Sequence, residues 1–233
     1  MTDISTLTAS PVDFATYGHY APPPSAFVEV NGKKTVDYPF QGRLSDDART
    51  KWPAEPGRYH LYVSLTCPWA QRALIALKLR DLDDIVSWSA VDPVRDGRGW
   101  AFREGPGYGP DPVNGFALLR EAYVATDPGF DGHVSVPALW DRATKRLVSN
   151  HFPTLTADLE TKFGRLGRPG TDLYPSWQRA AVGELNERTT AYLGQGAFGA
   201  VAETRQFELS ARPAGEFVAR PELQRQSPLY LER

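Results

Sequence analysis

The sequence predicts an α/β fold followed by a helical C-terminal segment, and three observations carry that prediction. An apolar run at residues 60–65 leads into Cys67-Pro68 and then into a stretch whose apolar residues recur at helical spacing. A second apolar, β-branched run covers residues 85–91, the order expected of a strand–helix–strand unit. Two more short runs, 134–140 and 146–149, are joined by a turn and followed by another helical stretch.

Composition sets the outer limits. The chain has 233 residues, enough for one large domain or two small ones. Hydrophobic content of 41% and charged content of 23% are ordinary for a globular protein. A formal charge of −2 gives no reason to expect nucleic acid or an anionic membrane as partner. Of the 26 basic residues 20 are arginine, a bias that points to a GC-rich genome. The single cysteine forms no intramolecular disulfide, so nothing indicates an oxidising compartment. The first ten residues have no signal-peptide pattern, and no apolar run approaches the roughly 18 residues of a membrane span. The expected location is the cytoplasm.

Residues 1–56 read as an irregular extension, with Asn31-Gly32 as a turn between 27–30 and 35–38, a candidate hairpin. Residues 60–65 read as a buried strand. Pro68 suits a first helical turn, and the helix it opens runs to Arg80 with Trp69, Leu74, Leu77 and several alanines on its apolar face. After the strand at 85–91, residues 92–133 are rich in Gly, Pro and Asp and too long for a plain connection, so they read as a functional insertion with one helix at 116–125. The strand at 134–140 is interrupted by Pro137. A turn at 141–145 leads to the strand at 146–149, and Asn150 is placed to cap a helix over 152–163. This order of β-α-β, hairpin and α is the thioredoxin-type arrangement, spanning 57–165. A linker follows, then a helix over 173–193 within a C-terminal segment, 171–233, whose pattern decays after Gly194.

Chemistry centres on Cys67. Read by itself, a lone cysteine is either a buried structural thiol or a nucleophile. Directly after a strand and at the start of a helix, its sulfur faces the free amides of Trp69 and Ala70, and that setting lowers a thiol pKa. Position 70 is alanine, so the site lacks a resolving cysteine and is suited to mixed disulfides with an outside thiol. Pro137 is either an edge breaker or a cis-proline that turns the Val136 backbone toward the thiol, where it would pair with a peptide-like ligand. Trp100 is a packing residue or a wall over a thiol cofactor. His133 and His151 are surface histidines or polar site residues, with no metal-ligand spacing between them.

These blocks resemble the Xi-class glutathione transferases, the glutathionyl-hydroquinone reductases. The resemblance rests on Arg58-Tyr59-His60-Leu61-Tyr62-Val63-Ser64, Cys67-Pro68-Trp69-Ala70, Gly99-Trp100, Pro110-Asp111-Pro112-Val113-Asn114-Gly115, Val136-Pro137-Ala138-Leu139-Trp140-Asp141, Asp172-Leu173-Tyr174-Pro175 and Glu184-Leu185-Asn186. It covers residues 57 to 198. It implies a thioredoxin-like domain, an all-helical C-terminal domain and a homodimer. It further implies that Cys67 attacks the sulfur of a glutathionyl-hydroquinone and keeps glutathione as a mixed disulfide. The implied glutathione contacts are Trp100, the strand His133, Val134, Ser135 and Val136 with Pro137, and the pair His151 and Phe152.

The chain departs from that family at three points. The family's Glu-Ser pair after Asn150 is His151-Phe152 here, and losing a charge-assisted contact to an ammonium costs on the order of 1–3 kcal/mol. That substitution and the arginine bias make another low-molecular-weight thiol, such as mycothiol from an actinobacterial source, the alternative co-substrate. The family's catalytic tyrosine aligns with Phe198, which has no proton to donate. The chain ends at Arg233, about a hundred residues before the family does, so its end reads as a truncated or frame-shifted product or as a short variant. The expected function is a thiol-dependent reductase or transferase acting on hydroquinone-type adducts without a metal. The alternative is a degenerate thioredoxin-fold protein that binds a thiol or a partner without catalysis.

Overall fold

The computed structural model describes residues 8–30, 32–167 and 172–189. The chain divides into two compact units, Met1–Gln178 and Arg179–Arg233. The first holds a four-stranded mixed sheet in the order β4-β3-β5-β6. Strand β3 (Tyr59–Val63) pairs parallel with β4 (Ser87–Ala90) and antiparallel with β5 (Ala138–Asp141), which pairs antiparallel with β6 (Arg146–Ser149). After a short helix, α1 (Phe14–Tyr17), in the N-terminal segment, helix α2 (Pro68–Leu79) joins the parallel pair, and α4 (Phe152–Lys162) packs beside α2. This is the thioredoxin-like arrangement expected from the sequence.

Local sequence explains the elements that place the site. All five residues of β3 are buried, as a central strand covered on both faces requires, and its one polar member, His60, is satisfied by Ser87 and Ser89 on β4. Pro68 occupies the first turn of α2, where a missing N–H costs nothing. Ala70, Ala73, Leu74, Ala76 and Leu77 form its buried stripe, while Trp69 stays half-buried at the helix entrance.

The 1–56 segment does more than extend the chain. Its hairpin, β1 (Phe27–Val30) with β2 (Lys33–Val36), forms as expected but begins its second strand two residues earlier, and Gly32 supplies the turn's φ of +73°. Further along, the Asn150 amide donates to the Phe40 carbonyl, the Phe40 amide donates to the Asn150 side-chain Oδ1, and Gly42 donates to the Val148 carbonyl, so this segment runs along β6. Residues 9–20 lie on the loop after β4. Ala9 donates to the Phe102 carbonyl, and Gly97 donates to Gly18 so tightly that a Cβ at Gly97 would sit 2.0 Å from the Tyr17 oxygen.

Three expectations change. The strand with Pro137 begins after the proline, at Ala138, so His133, Val134, Ser135 and Val136 form an extended loop rather than a strand. The insertion's helix is α3 (Arg120–Thr126), shorter than 116–125 at its start. The backbone N–H groups of Val113, Asn114 and Phe116 are gathered instead by the buried carboxylate of Asp111, which Tyr62 also contacts. The helix expected over 173–193 begins later. A turn at Asp172–Tyr174 and a 3₁₀ segment at Ser176–Gln178 precede α5 (Arg179–Thr189). Residues 190–233, with Phe198 and most of the expected helical domain, lie outside the described residues.

Candidate thiol site

Cys67 is the N-cap residue of α2, in extended conformation with φ −92° and ψ 115°. Its half-buried Sγ lies 3.5 Å from the carbonyl oxygen of Val136, to which the thiol donates. The Val136–Pro137 bond is cis, the second of the two sequence alternatives. The loop before β5 and the start of α2 therefore meet at the sulfur.

The thiol's electrostatics run against the sequence expectation. Burial pushes the Cys67 pKa up; the amides of Ala70 and Trp69 and the charge of Arg95 pull it down, but by less. The helix N-terminus acts in the expected direction and is outweighed by desolvation, a quantity no local sequence pattern carries. Tyr38 stands close by: burial first, and then the sulfur's charge, push its phenol up to about 12.

The remaining expected residues fall into two groups. On one side, His133 and Tyr20 are hydrogen-bonded, Nδ1 to phenol oxygen, at 2.6 Å, and burial followed by Arg95 pushes the imidazole down to about 4, so it is neutral near pH 7. Trp100 is buried, with the Arg95 guanidinium 4.1 Å above its ring. Val134 is core, and Ser135 is locked by Tyr123, whose hydroxyl donates to its carbonyl at 2.7 Å, and by the Asn150 side-chain amide. Asn150 thus cross-links two loops and does not cap α4; His151 occupies the N-cap position without a side-chain cap bond.

On the other side, His151 pairs its Nδ1 with the Thr154 hydroxyl at 2.8 Å. Phe152 is stacked on Trp69, with centroids 4.6 Å apart, and meets Tyr38 edge-on. Where the sequence already lacked a carboxylate and a hydroxyl, the structure therefore has an aromatic wall joining α2 to α4.

A family model described as the glutathione S-transferase N-terminal domain matches residues 66–153, which include the thiol, the cis-proline and the start of α4. The chain is 37% identical over 144 residues to the glutathionyl-hydroquinone reductase PcpF of Sphingobium chlorophenolicum, covering 62% of this chain and 46% of that protein. The structure of the Xi glutathione-S-transferase from Phanerochaete chrysosporium matches with a TM-score of 0.67 and 32% identity, over 71% of this chain and 57% of that one. Over this stretch the chain is therefore similar to Xi-class glutathione transferases. The glutathione-bound structure of YqjG, a glutathione transferase homologue from Escherichia coli K-12, matches with a TM-score of 0.64 and 36% identity, over 68% of this chain and 54% of that one. The chain spans about half the length of the curated relatives it matches.

Three residues of the site have no place in the sequence reading: Arg95, Tyr20 and Tyr38. Arg95 sits five residues before Trp100 in the same loop, a spacing that carries no motif. Tyr20 and Tyr38 belong to the proline-punctuated extension, whose aromatic content was its only signal. Among the described residues no group of three or more His, Cys, Asp or Glu is arranged to hold a metal, and no helix is long and apolar enough to cross a membrane.

Proposed function

We propose that this chain is a thiol-dependent reductase of the glutathionyl-hydroquinone type, with Cys67 as its nucleophile. The thiolate of Cys67 attacks the sulfur of the adduct, the carbon–sulfur bond breaks, and the hydroquinone ring carbon takes up a proton. The small thiol remains on Cys67 as a mixed disulfide. A second small thiol then attacks that disulfide and frees Cys67, leaving with the first as an oxidised pair. The observation that carries this reading is Cys67 Sγ at the N-cap of α2, facing the Val136 carbonyl beside a cis-proline. The names of the relatives, glutathionyl-hydroquinone reductases, and the glutathione-bound neighbour support the same chemistry. In this reading Trp100, His133 to Pro137, His151 and Phe152 surround the thiol ligand, which is glutathione or another small thiol such as mycothiol. The family resemblance adds a homodimer, which light scattering of the purified chain would test.

The elevated Cys67 pKa favours a second reading, a thioredoxin-fold protein that binds a thiol without turning it over. One experiment separates the two. Purified protein is mixed with a glutathionyl-hydroquinone and excess glutathione, or with the mycothiol pair, and free hydroquinone is followed by chromatography. Release by the wild-type chain and none by Cys67→Ser supports the reductase; equal release by both ends it.

A further inference from the structure

A ring carbon that loses its bond to sulfur has to gain a proton, and Cys67 is no source for it once it attacks as a thiolate. Several hydroxyls around the site are already engaged. Tyr20 is bonded to His133, Tyr123 donates to the Ser135 carbonyl, the Ser135 hydroxyl accepts from Asn150, Thr66 is paired with Ser64, and Thr154 with His151. The Tyr38 hydroxyl makes no hydrogen bond among the described residues. Its half-buried ring stands edge-on to Phe152 and to His151, with centroids 5.8 and 6.0 Å away, and Phe152 stacks on Trp69 at the start of α2. The charge of the Cys67 sulfur acts on this phenol, and burial keeps its proton in place through neutral pH. The backbone is fixed on both sides of the ring. Asp37 donates to the Ala26 carbonyl, and Phe40 is bonded to Asn150 through both its amide and its carbonyl.

We propose that Tyr38 donates the proton that the hydroquinone ring carbon takes up when its bond to sulfur breaks. The assignment rests on the proposed reductase reaction and adds a residue to it. The Cys67 thiolate forms a disulfide with the sulfur of the adduct, and the electron pair of the carbon–sulfur bond goes to the ring carbon. That carbon takes the proton of the Tyr38 hydroxyl, neutral hydroquinone leaves, and the phenolate regains a proton from water. A phenol that holds its proton at neutral pH is an acid toward so basic a carbon and no base toward the thiol. The aromatic surface of Phe152 beside it suits a flat ring placed between the sulfur and the hydroxyl.

The test compares two reactions of the full chain at Cys67, its single cysteine. A glutathionyl-hydroquinone needs a proton on carbon; 4,4′-dithiodipyridine also forms a mixed disulfide on Cys67 but expels a sulfur anion, which needs none. Single-turnover hydroquinone release is followed by chromatography and the pyridyl reaction by absorbance. Tyr38→Phe keeps the ring and removes only the hydroxyl. It should slow hydroquinone release about 100-fold, the worth of one general acid, and leave the pyridyl reaction within about twofold of the wild type. Wild-type release should also slow in deuterium oxide relative to the pyridyl reaction. Equal release by the wild type and Tyr38→Phe removes the donor and leaves the reductase reading standing. Equal slowing of both reactions in the variant shows that the hydroxyl only shapes the site, and overturns the proposal. So does wild-type release without a deuterium effect, whether or not the variant folds. A wild-type chain that reacts with the pyridyl disulfide and releases no hydroquinone ends the reductase reading and the donor with it.

Discussion

The two ends of the β3–β5 pair are built from similar parts and finished differently. At the start of β3, Arg58 grips Asp141 with two hydrogen bonds, 2.8 and 2.7 Å, and the Asp141 carboxylate also accepts from Thr144 and the Ala143 amide. The Arg58 and Asp141 charges there are matched. At the other end, where β3 leads to Cys67 and the loop with the cis-proline leads to β5, Arg95 lies against two rings and, among the described residues, no acid, and the thiol faces a carbonyl. The closed end stabilises the sheet.

The strongest way to break the comparison is to open the closed end. Asp141→Ala takes from the Arg58 guanidinium, 13% exposed, its buried carboxylate and leaves it the exposed Glu55 and the Lys51 carbonyl; it should cost about 3 kcal/mol in chemical denaturation. A cost below about 1 kcal/mol would show that the two ends are equivalent.

A pH titration sharpens the contrast next. Burial pushes His60 down to about 3 and His133 down to about 4, while an unfolded histidine keeps its ordinary value near 6.5. Below pH 6.5 the unfolded chain takes up protons that the folded chain refuses. Stability is therefore whole above pH 6.5 and falls as pH drops toward 4, on the order of 3 kcal/mol for His60. His60→Gln should flatten that limb of the denaturation curve. An unchanged slope would remove His60 as its source.

Glu160 runs the opposite way. Burial raises its carboxyl to about 7 although Arg80 pulls it back, and among the described residues neither of its oxygens has a hydrogen-bond partner. Its protonated form is the one the fold prefers. Stability from this group is whole below pH 4.5 and is lost as pH rises through 7, on the order of 2 kcal/mol. Glu160→Gln should level the alkaline limb; a steeper limb in that variant would contradict the assignment.

At the open end the expected effects on the bare protein are smaller. Alkylation of Cys67 by iodoacetamide should titrate above the midpoint of a free cysteine, because burial outweighs the helix amides and Arg95. Arg95→Gln should move that midpoint higher and slow the reaction at pH 7 by less than about tenfold; a lower midpoint would show that Arg95 does not favour the thiolate. Smallest of all, Trp69→Leu removes the stack on Phe152 and should cost about 0.5–1.5 kcal/mol beyond the lost area. A double-mutant cycle with Phe152→Leu isolates that term.

Much of the framework is legible in the sequence. The apolar run into Cys67-Pro68, the Asn31-Gly32 hairpin and the turn at 141–145 are local signals, set by side-chain period and turn chemistry, and each element formed within a few residues of its expected place. The sequence extends the strand at 134–140 too far toward its start because Val134 and Val136 alternate with a polar residue, while the ladder begins only after Pro137, at Ala138. Cap chemistry is local and points to Asn150, yet its side chain is used by Phe40 and Ser135 from distant parts of the chain.

The sequence by itself determined that a single thiol stands at the start of a helix, directly after a central strand, without a resolving partner. It did so because strand, proline and helix are neighbours along the chain. Only the tertiary structure decided the character of that thiol. Burial, the carbonyl of Val136, the phenol of Tyr38 and the unmatched charge of Arg95 reach Cys67 from segments 28 to 69 residues away. Desolvation and through-space charge depend on what folding brings together, and no spacing in the sequence records them.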